Sequence, residues 1–475
     1  VVRKQERSAG RERGTAPRQV RVSPARIVAY EVLEAVRDDE AYANLLLPKR
    51  IERSKLSPAD AALATELTYG TLRMQGYYDR IIELVSERDR TAIDPVVLDI
   101  LRLGAHQLLA TRVPLHAAVN EQVVLAKRLA PAASGFVNGV LRTISRSTPE
   151  EWRGWVADET TGGELERMAV LESHPEWIVR AFAQALEREG RAEELASLLA
   201  ADNAAPRVNL VALPGLGDEP VAELGAPNRF SPIGFTAANP FELIAAHEGR
   251  VRVQDEGSQL AALALSRARP VEPGERWLDL CAGPGGKTAV LAAEALAADA
   301  ELVANELGEA RAELVRKAVA GVPLDVPVRV GDGRSVAAAE LDAPAGFDRI
   351  LLDAPCTGLG ALRRRPEARW RKQPSDVAEL TALQGELFDH AVELLAPGGL
   401  LAYVTCSPHT GETHGTLAAA MRRWDGAIEP VDTRSVVASV ARDELDLAGE
   451  PETVQLWPHR HGTDAMFIAL VRRVG

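Results

Sequence analysis

The sequence predicts an all-helical domain followed by a doubly wound, mostly parallel α/β domain. Three observations carry that expectation. Up to about residue 150, apolar residues recur at helical spacing behind Ser-Pro and Asp-Pro starts, without strand-like alternation. From 251 onward, short apolar runs alternate with helical stretches. All three cysteines, Cys281, Cys356 and Cys406, stand at or just beyond the end of such a run, where an α/β protein keeps its ligands.

Residues 1–22 carry Arg3, Lys4, Arg7, Arg11, Arg13, Arg18 and Arg21 against Glu6 and Glu12, and read as a basic disordered tail. The helical domain spans 23–150. Ser23-Pro24 and Ser57-Pro58 are N-cap and first-turn pairs. Ile27, Val28, Val32, Leu33 and Val36 mark the first apolar face. Val96, Leu98, Leu101 and Leu103 mark another after Asp94-Pro95, and a further helix follows Pro114. Residues 151–250 read as a helical linker through His174-Pro175-Glu176-Trp177, then a small α/β connector beginning at Val208-Asn209-Leu210-Val211.

The α/β domain spans 251–475. Its first strand is Trp277 to Cys281, closed by Ala282-Gly283-Pro284-Gly285-Gly286 and an Ala/Leu helix. The second is Leu302 to Glu306, with a helix from about Glu309. The third is Val326 to Val330, ending at Gly331-Asp332-Gly333, and the fourth is Phe347 to Asp353. A long helix reaches Leu395, Pro397-Gly398-Gly399 closes it, and Leu400 to Cys406 is the fifth strand. Met466 to Val471 is expected as a final edge strand.

A length of 475 residues suits two or three domains. Aromatics at 4% leave the cores to Ala, Val and Leu. No apolar run reaches the roughly 18–20 residues that span a bilayer, and no leader pattern marks the chain for export, so a cytoplasmic protein is expected. The net charge of −13 argues against a wholesale polyanion binder. Residues 363–372 depart from it, with Arg363, Arg364, Arg365, Arg369, Arg371 and Lys372 against Glu367 alone. An acidic body with local basic strips suits an enzyme that grips nucleic acid at one site. Three widely spaced cysteines exclude a disulfide framework.

Three ligands compete for the glycine loop. A dinucleotide fold wants G-x-G-x-x-G, and the last glycine is missing here. A P-loop is the stronger rival, because Gly286-Lys287-Thr288 matches its end and Arg349 to Asp353 resembles its acidic strand. Against it, Cys281 stands where that loop's first glycine belongs. The third ligand is S-adenosylmethionine, a nucleoside cofactor without a polyphosphate. Glu306, at the end of the second strand, is placed for a ribose diol and Asp332, at the end of the third, for an adenine edge. The acidic residues favour it.

Asp353-Ala354-Pro355-Cys356 and Thr405-Cys406-Ser407-Pro408 put two cysteines and a carboxylate at neighbouring strand ends. Methylating carbon 5 of cytosine requires that set. A thiolate adds to carbon 6, an acidic group attends the ring nitrogen, and a base later removes the carbon 5 proton. An inert packing thiol is the plainer reading of either cysteine alone. Cys406, His409 and His414 only loosely resemble ligand spacing, and no metal is expected.

These segments together resemble the RsmB/Nop/Sun-type RNA cytosine-5 methyltransferases. The likeness runs through Leu278 to Thr288, Asp353 to Gly358 with Arg363-Arg364-Arg365-Pro366-Glu367, Thr405 to Pro408 with Glu412, Gln254 to Ser258, and His461 to Phe467. It departs in having Gly283 where alanine is usual, and Glu306 where aspartate is usual. The stretches Glu66 to Arg73, Leu101 to Leu108 and Gly135 to Arg142 resemble the NusB-like RNA-binding domain of the RsmB branch. The resemblance implies a Rossmann-type methyltransferase behind a NusB-like domain, with S-adenosyl-L-methionine as cofactor and RNA, in particular small-subunit rRNA, as substrate. It implies Cys406 as nucleophile and Cys356 as the group that assists release. Asp353 would contact the cytosine or the cofactor, and Lys287 would position the reacting groups. Cofactor contacts are implied at Cys281, Ala282, Gly283, Pro284, Gly285, Gly286, Lys287, Glu306, Asp332 and Asp353. Arg363, Arg364 and Arg365 are expected on the RNA. A cytoplasmic monomer, needing neither metal nor membrane, is the expected working form.

Overall fold

The structure, a computed structural model, describes residues 22–216, 221–341 and 343–474. The cations expected in a basic tail, Arg3 to Arg21, lie outside the described residues. The chain divides between Trp155 and Val156 into two compact units.

The first unit is helical: α1 (Pro24–Asp38), α2 (Ala43–Arg53), α3 (Pro58–Arg73), α4 (Gln75–Ser86), α5 (Pro95–Ala110), α6 (Leu115–Leu129) and α7 (Ser134–Ile144). Helix α8 (Pro149–Asp158) carries the division. Ser57 caps α3 by accepting the Asp60 N–H (3.2 Å), and Asp94 caps α5 by accepting from Val96 (2.9 Å). Ser23 differs from expectation. Its hydroxyl accepts from the Arg26 guanidinium (2.9 Å), so α1 starts on Pro24 without a side-chain cap. Buried Ile100, Leu101 and Leu103 of α5 sit at the centre of the unit. Helix α3 crosses α5 closely because Gly70 faces His106. A Cβ on Gly70 would stand 2.1 Å from that ring, which the Tyr78 hydroxyl fixes at 2.9 Å.

The unit also buries charge. Arg102 reaches both oxygens of Asp79 (2.6 and 2.7 Å) and one of Asp99 (3.0 Å). Arg37 pairs with Asp99 from α1, and both aspartates are buried.

The second unit opens with α9 (Glu164–Leu171), α10 (Glu176–Arg188) and α11 (Leu195–Asn203). Ile178, Phe182, Leu186 and Leu198 share one apolar cluster with Leu359, Leu362 and Trp457, so these helices pack as part of the sheet unit. A small antiparallel sheet follows, ordered β2-β3-β1-β4: β1 (Leu210–Ala212), β2 (Ala226–Pro227), β3 (Gly234–Thr236) and β4 (Val251–Val253).

The main sheet holds β5 (Arg276–Asp279), β6 (Glu301–Glu306), β7 (Val328–Val330), β8 (Phe347–Asp353), β9 (Leu395–Thr405), β10 (Ile428–Pro430), β11 (Thr453–Gln455) and β12 (Phe467–Arg473). Its order is β10-β12-β9-β8-β5-β6-β7, with β11 also on β12. Strands β9, β8, β5, β6 and β7 pair in parallel. The strand expected at the edge, β12, is instead interior. It pairs antiparallel with β9 on one side and with β10 and β11 on the other. Its near-continuous burial fits a strand covered on both faces, a state that a run of apolar residues alone does not separate from an edge.

Alternation along the strands sorts side chains between two cores. Trp277, Leu351, Ala402 and Val404 join the leucines and alanines of α12 (Glu256–Ser266) and α13 (Gly286–Ala297). Leu278, Ile350, Leu352, Leu401 and Tyr403 join Phe388 and Val392 of α15 (Pro374–Leu394) on the other face. Helix α14 (Glu309–Val319) follows β6, and α16 (Thr416–Arg423) and α17 (Thr433–Val440) follow β9 and β10. The strand order reverses between β5 and β8, so the crevice beyond their carboxyl ends is the place for a ligand.

Removing Arg102 leaves Asp79 and Asp99 with fewer partners in the helical interior. Arg102→Ala is expected to lower the opening free energy of α5 by about 3–5 kcal/mol. Faster hydrogen exchange at α5 amides checks this.

Candidate active site

The residues singled out in the sequence converge on that crevice. The loop from Cys281 to Gly286 joins β5 to α13 and is pinned at both ends. Glu306, at the tip of β6, accepts the Gly283 N–H (2.9 Å), and Arg311 of α14 donates to the Gly283 carbonyl (2.6 Å). Gly285 has φ +97°, and a Cβ there would stand 2.4 Å from Ala318 and 2.9 Å from the Val315 backbone. Glycine is therefore required for the loop to lie this close to α14. At Gly283 a Cβ would come within 2.4 Å of the Glu306 carboxylate, the mobile end of a side chain that can give way, so a small residue there is tolerated.

Asp279, the last residue of β5, is buried. Its Oδ2 accepts from Thr288 (2.7 Å), and its Oδ1 meets no partner among the described residues. Burial pushes its carboxyl up to about 7. Asp279, Asp353 and Glu306 all act electrostatically on the Cys281 thiol, which burial and these carboxylates push up. Lys287, on the first turn of α13, donates to Asp353 Oδ2 at 2.7 Å. Burial alone would pull the lysine down, but Asp353 overcomes it and raises it.

This is the test between the rival ligands. Three carboxylates around one loop, with its lysine already paired, oppose a polyphosphate. They suit a cationic sulfonium bearing a ribose. The residues fit S-adenosylmethionine and not a P-loop nucleotide. Asp332 stands beyond β7, where Arg334 pairs with it (2.6 Å) and holds its carboxyl down at about 2.

The two cysteines meet. Cys356, past β8, and Cys406, past β9, place their sulfurs 3.5 Å apart. The in-register parallel pairing of Asp353 with Val404 makes this possible by ending both strands at one level. Cys406 is held below its ordinary value, first by the hydrogen bond from Cys356 and then by Lys287, against burial and Asp353. Cys356 moves the opposite way, because its proton is engaged by Cys406 and burial favours the neutral form. The loops are tied by Glu412, which accepts from the Thr357 N–H (2.7 Å) and from the Ser407 hydroxyl (2.6 Å).

The basic strip turns partly inward. Arg363 is buried and donates to Asp255 (3.2 Å) and Asp464 (3.3 Å). Arg369 is fully buried and donates to the Ser173 carbonyl and Asn203 Oδ1, both at 2.9 Å. Neither is a surface cation. Charge density along a chain does not reveal which arginines turn inward onto distant carboxylates. Arg364 also pairs with Asp464, yet 42% of its side chain stays exposed and it interacts electrostatically with Cys406. The loosely metal-like triad also resolves otherwise. His409 Nδ1 accepts from Gly411 N–H (3.1 Å), and His414 packs edge-on against Phe467. Among the described residues no group of three His, Cys, Asp or Glu is placed to hold a metal, and no helix is long and apolar enough to cross a membrane.

Asp464, Asp255, Thr357 and Ser407 were parts of motifs without roles in the sequence. Thr357 meets Ser407 across 50 residues and Asp464 meets Asp255 across 209, so no local signal links either pair.

The family described as 16S rRNA methyltransferase RsmB/F matches residues 268–472, and the NusB family matches residues 23–146. A putative methyltransferase of Mycobacterium tuberculosis is 47% identical over 97% of this chain and 99% of its own length. Ribosomal RNA small subunit methyltransferase B of Pseudomonas putida is 33% identical over 94% of this chain and 98% of its own. A methyltransferase homologue from Pyrococcus horikoshii shares the fold, with TM-score 0.51 at 23% identity, over 66% of this chain and all of that one.

A carboxyl raised by folding stabilises fully below its unfolded value, and that contribution is lost as pH rises through about 7. Asp279→Asn removes the titration. The variant is expected to gain thermal stability relative to wild type between pH 5 and pH 8, read as a difference in Tm that widens with pH.

Proposed function

The chain belongs to the RsmB/F family of S-adenosylmethionine-dependent rRNA methyltransferases, and from that premise we propose that it methylates carbon 5 of a cytosine in small-subunit rRNA, in the cytoplasm, through a Cys406 adduct. The observation that carries the reading is the 3.5 Å approach of Cys356 and Cys406 beside the Lys287–Asp353 pair.

Bound S-adenosylmethionine supplies an electrophilic methyl group. The chain's own residues do the rest. Cys406, the sulfur with the lowered pKa, adds to carbon 6 and makes carbon 5 nucleophilic. Asp353 attends the ring nitrogen, and Lys287 orients Asp353 while favouring the Cys406 thiolate. After methylation the carbon 5 proton must leave before the Cys406 sulfur can depart, and Cys356 assists that release. Glu306, Asp332, Asp353 and the loop from Cys281 to Lys287 would hold the cofactor, Glu306 towards a ribose and Asp332 towards an adenine. The helical unit, as a NusB-family domain, binds RNA.

The test is methyl transfer from labelled cofactor to unmodified rRNA. Cys406→Ala is expected to abolish transfer. Cys356→Ala is expected to accumulate a covalent protein–RNA complex, since addition proceeds and elimination stalls. A trapped complex with Cys406→Ala would exchange the two roles.

Of the three arginines expected on RNA, Arg364 and Arg365 are exposed, and Arg364 is the one that interacts electrostatically with Cys406, so it is placed to meet a phosphate near the reacting base. Arg364→Gln is expected to reduce the slope of log affinity against log salt by about 1. Binding titrations over a range of salt measure it, and an unchanged slope places the phosphate contact elsewhere.

A further inference from the structure

We propose that Glu412 is a positioning residue, whose buried side chain tethers the Cys356 loop to the Cys406 loop and thereby sets the spacing of the two sulfurs. The proposal rests on the two-cysteine reading above for its catalytic consequence, although the tether itself does not.

Glu412 is fully buried, and each of its donors arrives from an element that carries or supports a cysteine. Its Oε1 accepts from the backbone N–H of Thr357, next to Cys356 (2.7 Å), and from Gln384 Nε2 (3.4 Å). Its Oε2 accepts from the Thr357 hydroxyl (2.5 Å) and from the Ser407 hydroxyl, next to Cys406 (2.6 Å). The backbone of Glu412 is anchored in turn, since the Tyr403 hydroxyl donates to its carbonyl (2.5 Å). Gln384 also donates to the Pro355 carbonyl (2.8 Å), so α15 steadies the same loop from behind.

The need for such a tether follows from where the sheet stops. The β8–β9 ladder is extended by one bond, from Ala354 N–H to the Val404 carbonyl (2.9 Å). Past it, Cys356 and Cys406 lie on irregular backbone, where a backbone bond from Gly360 N–H to the Cys406 carbonyl (2.9 Å) and a hydroxyl contact between Thr357 and Ser407 (3.2 Å) also link the two segments. A carboxylate accepting from both loops closes this gap with charge-assisted bonds, which are short and directional. The consequence for chemistry is geometric. Adduct formation and release use two different sulfurs on one ring, and a displacement of about 1 Å at such a pair costs on the order of 100-fold in rate. A carboxylate serving only to satisfy buried donors would leave the sulfur spacing unaffected.

The experiment uses the full chain carrying Glu412→Ala or Glu412→Gln. Diamide-driven disulfide formation between Cys356 and Cys406, followed by mass spectrometry, acts as a ruler and needs no RNA. Glu412→Ala is expected to slow it about tenfold and to lower kcat for methyl transfer about 100-fold, with cofactor affinity unchanged. Glu412→Gln is expected to restore both to within about tenfold of wild type. Its amide oxygen can meet the Thr357 N–H while its amide hydrogens meet hydroxyls that rotate to accept. Should Glu412→Ala fail to fold, Ser407→Ala cuts one arm of the tether and is expected to slow disulfide formation in the same direction. A folded Glu412→Ala with wild-type disulfide rate and kcat overturns the proposal. A slowed disulfide rate with no methylation of cytosine by wild type would sink the functional reading and leave the tether standing.

Discussion

The structure depends on the parallel register of β5, β8 and β9. Because Asp279 pairs with Leu351, and Asp353 with Val404, the three strands finish within a residue or two of one another. Everything chemical hangs from those ends: the glycine loop after β5, Asp353 and Cys356 after β8, Cys406 after β9. A shift of one residue in either pairing would turn the terminal side chains to the opposite face and separate the sulfurs. The two apolar cores, made of alternate residues on each strand, oppose that shift.

Electrostatics at these ends divides labour between similar groups. Lys287 is shared between Asp353 and the field at Cys406, so one cation favours both a carboxylate and a thiolate. Asp279 lies deeper, without a cation in contact, and is raised instead. Cys281, surrounded by carboxylates, is disfavoured as a thiolate, whereas Cys406 is favoured. Position in the field, and not residue type, sets the opposite directions in which the Cys281 and Cys406 thiols are shifted.

Charge also serves the scaffold. Asp464 and Asp255 gather Arg363 and Arg364, fixing the segment after Cys356 against the segments that start α12 and precede β12. Arg369 reaches α11 and the turn before α10. The arginine-rich segment thus spends part of its charge on holding the mouth of the crevice together, which explains how an acidic protein tolerates six cations in ten residues there.

The sequence by itself determined the elements that obey short-range rules. Periodicity and Pro-marked starts yielded the helices, and apolar runs ending in Gly, Pro or Asp yielded the parallel strands, because both signals lie within a few residues. It also marked Asp353, Cys356 and Cys406 as candidates, since they stand at strand ends or in the loops just beyond, beside prolines. Tertiary structure alone decided that β12 is interior, that Arg363 and Arg369 face inward, and that Glu412 joins the cysteine loops. Each of those depends on partners tens to hundreds of residues away, and pairing over such distances is set by packing of the whole unit, which leaves no local pattern to read.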